Sequence, residues 1–187
     1  VRALALSNGK IIASAQLAEE GELTEDLIRR ILEEGSVHGN IIPDRVIKYY
    51  RDKLFGKYLG YRIVRIAVHP EAQGMGIGSY FLRKIEEEAR ESKLDWVGSG
   101  FGATEELLNF WMKNGYLPIH ISPSRNPVSG EYSVIVLKGL REDIHSSILF
   151  FNKKFRERLV NSLYDTYRDL EIEVVYKLLQ DPLCSEY

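Results

Sequence analysis

A single cysteine, Cys184, stands in 187 residues, so no disulfide can form within the chain and small disulfide-framed scaffolds are excluded. A reducing compartment follows, and the cytoplasm is the expected setting. No run of 18 apolar residues occurs and no leader pattern opens the chain, so neither a membrane span nor a signal peptide is expected. An excess of one charge is missing too. The 25 Lys and Arg against 27 Asp and Glu leave a formal charge of -2, so any surface for a polyanion must be local. Internal repeats, low-complexity segments and a metal-ligand cluster are absent. So are the Walker phosphate pattern and the acidic residue that a dinucleotide-binding unit needs.

What is present suits a globular α/β chain. Hydrophobic residues make up 44% and charged residues 28%, and a chain of this length buries roughly 70% of its unfolded surface. One domain over residues 1–140 with a helical appendage over 141–187 is expected. Val1 falls inside an apolar-rich run that reads as a strand, which predicts a piece of a longer protein.

The first element is a hairpin, Arg2 to Leu6 and Lys10 to Leu17, turned at Asn8-Gly9. Leu23 to Glu33 has helical spacing with Thr24 as N-cap, and Gly35 stops it. A loop from Ser36 to Pro43 leads to a second helix over Asp44 to Leu54. Strand, helix and strand are expected over Leu94 to Phe101, Thr104 to Asn114 and Tyr116 to Ser122, then a return strand over Glu131 to Leu137. Ile144, Ile148, Phe151, Phe155, Leu159 and Leu163 recur at helical spacing in the tail, and a further helix spans Leu170 to Leu179.

Between the two halves lies the stretch that carries chemistry. The β-branched run Ile63 to Val68 predicts a strand buried on both faces and ended by Pro70. Gly74, Gly76 and Gly78 follow, each open to positive φ, and a helix begins at Ser79. Unpaired N–H groups at a helix start, together with the positive end of its dipole, make an anion site. Three glycines alone equally suit an empty tight turn; the flanking strand and helix favour the phosphate reading.

The pattern Gln73-x-x-Gly76-x-Gly78 after Ala-Val-His-Pro resembles the acyl-CoA pyrophosphate loop of the GNAT acetyltransferases. With Arg-Ile-Ala-Val-His-Pro at 65–70, Phe-Gly-Ala-Thr at 101–104 and Phe-Trp-Met-Lys-Asn-Gly-Tyr at 110–116, the chain resembles RNA cytidine acetyltransferases over almost its whole length. The resemblance implies a GNAT fold with a mixed central sheet flanked by helices, and acetyl-CoA as donor. It implies N4-acetylcytidine in RNA, such as tRNA, as product, and ATP use by a helicase-like module outside this chain. It further implies that Ile66, Ala67 and Val68 present backbone groups to the pantetheine arm and that Gln73, Gly74, Met75, Gly76, Ile77, Gly78 and Ser79 hold the pyrophosphate. Glu106 and Lys113 lie along the coenzyme by the same resemblance.

Cytosine N4 is a poor nucleophile, so attack on a thioester requires a base and donors for a developing oxyanion. Backbone N–H near Val68 is a candidate donor. Trp111 stands where many GNAT enzymes carry an acid tyrosine and cannot serve as one; Tyr116 is the candidate substitute. His38, in a Gly/Asn-rich loop, is the candidate base, and His69 reads as structural. The histidine that the resemblance assigns to catalysis falls upstream of Val1.

Two basic clusters are candidate RNA contacts, Arg45, Lys48, Arg51 and Lys53 on the second helix and Lys153, Lys154, Arg156 and Arg158 beside Phe155 in the tail. Either is also compatible with a solvated helix face, since residues 141–187 hold seven Lys/Arg against nine Asp/Glu. Two other functions stay open: a GNAT enzyme acting on a protein or small-molecule amine, and a non-catalytic acyl-CoA-dependent RNA-binding module.

Overall fold

The computed structural model describes residues 1–183 other than 7, 34 and 36–38. The chain divides into two units, Val1–Ser99 and Gly100–Tyr187.

The first unit opens with the hairpin, β1 (Arg2–Ala5) antiparallel to β2 (Ile11–Gly21). Gly9 adopts φ +82, and the Leu6 N–H donates to the Lys10 carbonyl at 2.9 Å. β2 continues to Gly21 rather than stopping at Leu17. Local preference disfavours acidic residues in strands, but Glu20 is buried against a partner. One carboxylate oxygen lies 2.5 Å from Arg62 Nε and the other accepts the Ile42 N–H at 2.9 Å.

α1 (Glu25–Glu33) is capped by Thr24, whose Oγ1 accepts the Leu27 N–H at 3.3 Å. Its buried Ile28 and Ile31 pack with Leu23 and Ile47. α2 spans Ile41–Tyr50, not Asp44 to Leu54. Pro43 is accommodated because it sits in the first turn, where a missing N–H leaves no acceptor unpaired. Arg51, at φ 58, ends the helix with its N–H on the Ile47 carbonyl.

β3 (Leu59–Val68) pairs antiparallel with β2 and parallel with β4 (Trp96–Gly102), so the sheet is mixed and its order in this unit is β1-β2-β3-β4. A Cβ at Gly60 would stand 2.1 Å from the Trp96 ring, which stacks on Phe55 at 5.8 Å. The expectation that Ile63 to Val68 is buried on both faces holds for Ile63 alone, with Val64, Ile66 and Val68 half-buried. Arg65 and Ala67 are exposed. α3 (Ile77–Glu91) starts two residues before Ser79, buries Phe81, Leu82, Ile85 and Ala89, and is tied to β1 by Arg2 Nε, 2.7 Å from a Glu88 oxygen.

In the second unit Thr104 caps α4 (Glu105–Lys113), with its Oγ1 accepting the Leu107 N–H at 3.3 Å, and Gly115 at φ +83 follows the helix. β5 (Leu117–Arg125) and β6 (Tyr132–Gly139) pair antiparallel. α5 (Glu142–Ser162) lies on both, burying Ile144, Ile148, Phe151, Phe155 and Leu159. Buried Asn152 donates its side-chain amide to the Pro118 carbonyl at 2.9 Å and accepts from Arg156 Nε at 3.2 Å. α6 (Ile172–Leu179) packs against α4 and α5 through Val174 and Leu178. No described helix is long and apolar enough to cross a membrane.

Candidate functional site

The turn after β3 has the features of an anion cradle. The His69 N–H donates back to the Ile12 carbonyl at 2.8 Å, and His69 Nδ1 accepts the Glu71 N–H at 3.3 Å, which supports a structural role for this histidine. Gly74 and Gly76 take φ +74 and +79, with nothing within 4 Å of where a Cβ would be. Gly76 is the N-cap of α3 and supplies no side chain to it, so the first-turn N–H groups of Ile77, Gly78 and Ser79 remain for a ligand. Gly78 does not have positive φ. It lies inside the first helical turn, where its contribution is the absence of a side chain over those donors.

The adjoining edge of β3 is open. Parallel pairing to β4 runs from Gly60↔Trp96 to Ile63↔Ser99 and goes no further among the described residues. β3 continues to Val68 against β2 alone, with a bulge at Val64, since Ile63 faces Leu17 and Arg65 faces Gln16. N–H and C=O groups alternate sides along a strand. The His69 N–H is directed at β2, so the backbone groups of Val68 and Ile66 face the open side. Ile66 and Val68 are half-buried and Ala67 is exposed. Backbone donors and acceptors therefore line an edge leading into a helix N-terminus, an arrangement fitted to an extended amide-containing arm that ends in phosphates.

Gln73 behaves differently from a simple phosphate ligand. Its side-chain amide turns back and donates to the Val68 carbonyl at 3.1 Å. Met75 protrudes from the turn, 73% exposed. Arg83, passed over in the sequence, lies one turn beyond Ser79 on the same side of α3, exposed and with its guanidinium 5.9 Å from the Tyr80 ring centre. The spacing of four from Ser79 was the available signal.

The remaining sequence-derived residues are distributed over the two units. Glu106 is exposed in the first turn of α4, and Lys113, at its end, is exposed with Nζ 5.8 Å from the Phe110 ring centre. Trp111 stacks on Phe101 at 5.7 Å and meets Tyr116 edge-on at 4.9 Å. Tyr116 is fully buried, with Lys138 Nζ 5.5 Å from its ring centre, so its hydroxyl lies inside an aromatic cluster rather than at an open surface. His38 lies outside the described residues. Among the described residues no group of three or more His, Cys, Asp or Glu is placed to hold a metal.

The two basic clusters differ in how they are compensated. Arg45 is held 2.7 Å from buried Asp44, while Lys48, Arg51 and Lys53 are exposed. In the tail, Lys154 lies 2.8 Å from Glu157, and Arg156 lies 3.1 Å from Asp181 while also bonded to Asn152. Lys154 holds the Glu157 carboxyl below its ordinary range, chiefly through their hydrogen bond. Arg158 is half-buried, and Lys153 is exposed. Phe155 is a core residue at 1% exposure, not a stacking surface.

Comparison with known proteins agrees with the fold described above. The chain is 51% identical over 180 residues to a tRNA(Met) cytidine acetyltransferase TmcA of Thermofilum pendens, covering 96% of this chain and 22% of that protein. It is 48% identical over 181 residues to the TmcA of Thermococcus kodakarensis, covering 97% and 22%. This chain thus spans about a fifth of the length of these curated relatives. Among solved structures, Chaetomium thermophilum Naa20 in complex with a bisubstrate analogue aligns with TM-score 0.53 and 16% identity, over 78% of this chain and 68% of that chain. Drosophila melanogaster polyamine N acetyltransferase aligns with TM-score 0.51 and 12% identity, over 72% of each chain. Identities this low speak for the shared fold alone. The family model described as GNAT acetyltransferase 2 matches residues 6–88 and 80–141, and the chain belongs to that family.

Proposed function

We propose that this chain is the acetyl-transferring part of an RNA cytidine acetyltransferase, which moves the acetyl group of acetyl-CoA to cytidine N4 in tRNA. The observation that carries the reading is the open β3 edge running into an uncapped α3 N-terminus, in a chain about half identical to proteins named for that reaction. Acetyl-CoA supplies an activated thioester carbonyl. First-turn N–H groups of Ile77, Gly78 and Ser79 neutralise its pyrophosphate, with Arg83 as a nearby cation. The backbone groups of Ile66 and Val68 hold the arm, and their N–H groups are the candidate donors for charge developing on the carbonyl oxygen.

His38 is the proposed base that takes the N4 proton, and Tyr116 the proposed acid that protonates the departing thiolate. The burial of Tyr116 favours a second reading, an acyl-CoA-dependent RNA-binding module without turnover. RNA contacts fall to the exposed Lys48, Arg51, Lys53 and Lys153, with Arg45, Lys154, Arg156 and Arg158 compensated or partly buried. ATP acts through a helicase-like module elsewhere in the longer protein, and the setting is cytoplasmic.

Mass spectrometry of nucleosides from tRNA incubated with acetyl-CoA, ATP and the full-length protein tests the reading. N4-acetylcytidine is expected. Acetylated lysine peptides with every RNA unmodified would overturn it, and acetyl-CoA binding without any turnover would establish the second reading.

A further inference from the structure

We propose that the Gln73 side chain is a displaceable plug on the open edge of β3. It holds the Val68 carbonyl in the free protein and leaves it when a pantetheine arm takes that acceptor. Gln73 thereby sets how strongly the site prefers a whole acyl-CoA to its nucleotide half. The inference rests on the acyl-CoA reading above.

Three observations converge on it. Val68 is the last residue of β3 and lies next to the anion turn, so an arm anchored by its phosphates in the turn meets this residue before Ile66. The Val68 carbonyl is directed to the side that no strand covers among the described residues, because the neighbouring His69 N–H is directed at Ile12 on β2. That carbonyl is nonetheless engaged, at 3.1 Å, by the Gln73 amide from within the phosphate-binding turn itself.

A strand edge that awaits a ligand carries unpaired acceptors, and an internal donor at the first of them satisfies it in the ligand's absence. Gln73 is exposed and flanked by Gly74 at φ +74, so its side chain can swing away without disturbing packed neighbours. When it moves, its amide is released beside the same N–H groups that face the pyrophosphate. Occupation of the strand edge and occupation of the turn are then linked through one side chain.

The test uses acetyl-CoA and adenosine 3',5'-bisphosphate as paired probes in calorimetry on the parent and on Gln73→Met, which keeps length and removes the donor. The expected result is acetyl-CoA affinity raised by about three- to tenfold, the scale of one net hydrogen bond, with bisphosphate affinity unchanged. NMR of the Gln73 side-chain amide supplies a readout independent of affinity. Its protons should be hydrogen-bonded in the free protein and with bisphosphate, and should move to free-amide positions with acetyl-CoA. Parallel loss of both affinities would make Gln73 a phosphate ligand and overturn the proposal. So would an amide that stays on the Val68 carbonyl in the acetyl-CoA complex. Failure of the parent to bind acetyl-CoA at all would instead reject the acyl-CoA reading, and the plug with it.

Discussion

Buried Glu20 and half-buried Arg62 form an ion pair that also fixes the start of a helix. One Glu20 oxygen lies 2.5 Å from Arg62 Nε, and the other takes the Ile42 N–H at 2.9 Å, with Glu20 3% exposed. The pair couples β2 and β3 to α2, the helix that carries Lys48, with Arg51 and Lys53 following its end.

Removing the acid strands a half-buried guanidinium and uncaps α2. Glu20→Ala should therefore cost about 3 kcal/mol, at the low end for a broken buried pair because Arg62 retains some solvent access. The check is a urea titration, and a midpoint shift equivalent to less than about 1 kcal/mol would show the pair to be incidental.

Arg2 sets a pH dependence. Its hydrogen bond, then its charge, holds the Glu88 carboxyl below the ordinary value of 4.5. A depressed folded-state value stabilises the fold fully above the unfolded value, and that contribution disappears as pH falls through the folded one. Urea midpoints measured from pH 7 to pH 3 should fall more steeply for the parent than for Glu88→Gln, so that the two curves converge below about pH 4.5. Parallel curves would remove the linkage.

Gly78→Glu should separate stability from binding. A glutamate in the first turn replaces a flexible residue and suits the helix dipole, so thermal stability should hold or rise by about 0.5–1 kcal/mol. The same carboxylate lies among the donors proposed for the pyrophosphate, so acetyl-CoA affinity should drop at least about 100-fold, more than one lost charge-assisted hydrogen bond because repulsion is added. Unchanged calorimetric affinity would move the phosphate site elsewhere.

For RNA, the ion pairing predicts unequal clusters. Replacing Lys48, Arg51 and Lys53 with serine should lower tRNA affinity and reduce the log-log salt slope by about 2–3, near 0.9 per lost phosphate contact. Replacing Arg156 should chiefly cost stability, since it bridges Asn152 and Asp181. Equal salt slopes for the parent and the triple variant would remove α2 from the RNA path.

Gly60→Ala should destabilise the first unit by about 1–3 kcal/mol through overpacking, because the added methyl would stand 2.1 Å from the Trp96 ring. A thermal midpoint within error of the parent would mean that the ring repacks freely.

Local signals announced the elements that local chemistry decides. Asn8-Gly9 turned the hairpin, Thr104 and Gly115 bounded α4, and the tail periodicity named the residues that α5 buries. Misread positions were those decided by distant partners. Glu20 kept β2 in a strand because Arg62, far along the chain, neutralises it. Pro43 looked like a loop residue because its tolerance depends on which turn of α2 it occupies. The tight turn after β3 was legible from glycine spacing, and Gly74 and Gly76 take positive φ there, but the bond from the Gln73 amide back to the Val68 carbonyl was not, since no periodicity encodes where a flexible amide points. Tyr116 carries the right functional group by type, and only packing reveals that it is enclosed by Trp111 and Lys138.

The bulge at Val64 acts on parity. Before it, the Leu59 carbonyl accepts the Asp95 N–H at 2.7 Å and the Leu59 N–H donates to the Asp95 carboxylate at 3.0 Å, both on the β4 side, so odd-numbered residues of β3 present their backbone there. After it, the even-numbered Ile66 and Val68 do. Deleting Val64 would restore strict alternation yet keep Arg65 opposite Gln16 and the backbone groups of Ile66 and Val68 on the open side, because Val64 is the residue that the pairing with β2 skips. Deleting Ile63 and Val64 together would instead turn the backbone groups of Ile66 and Val68 toward β2 and hand the open side to Arg65 and Ala67. Length changes in this strand are therefore constrained as odd or even before they are constrained by size, a rule that no substitution series could expose.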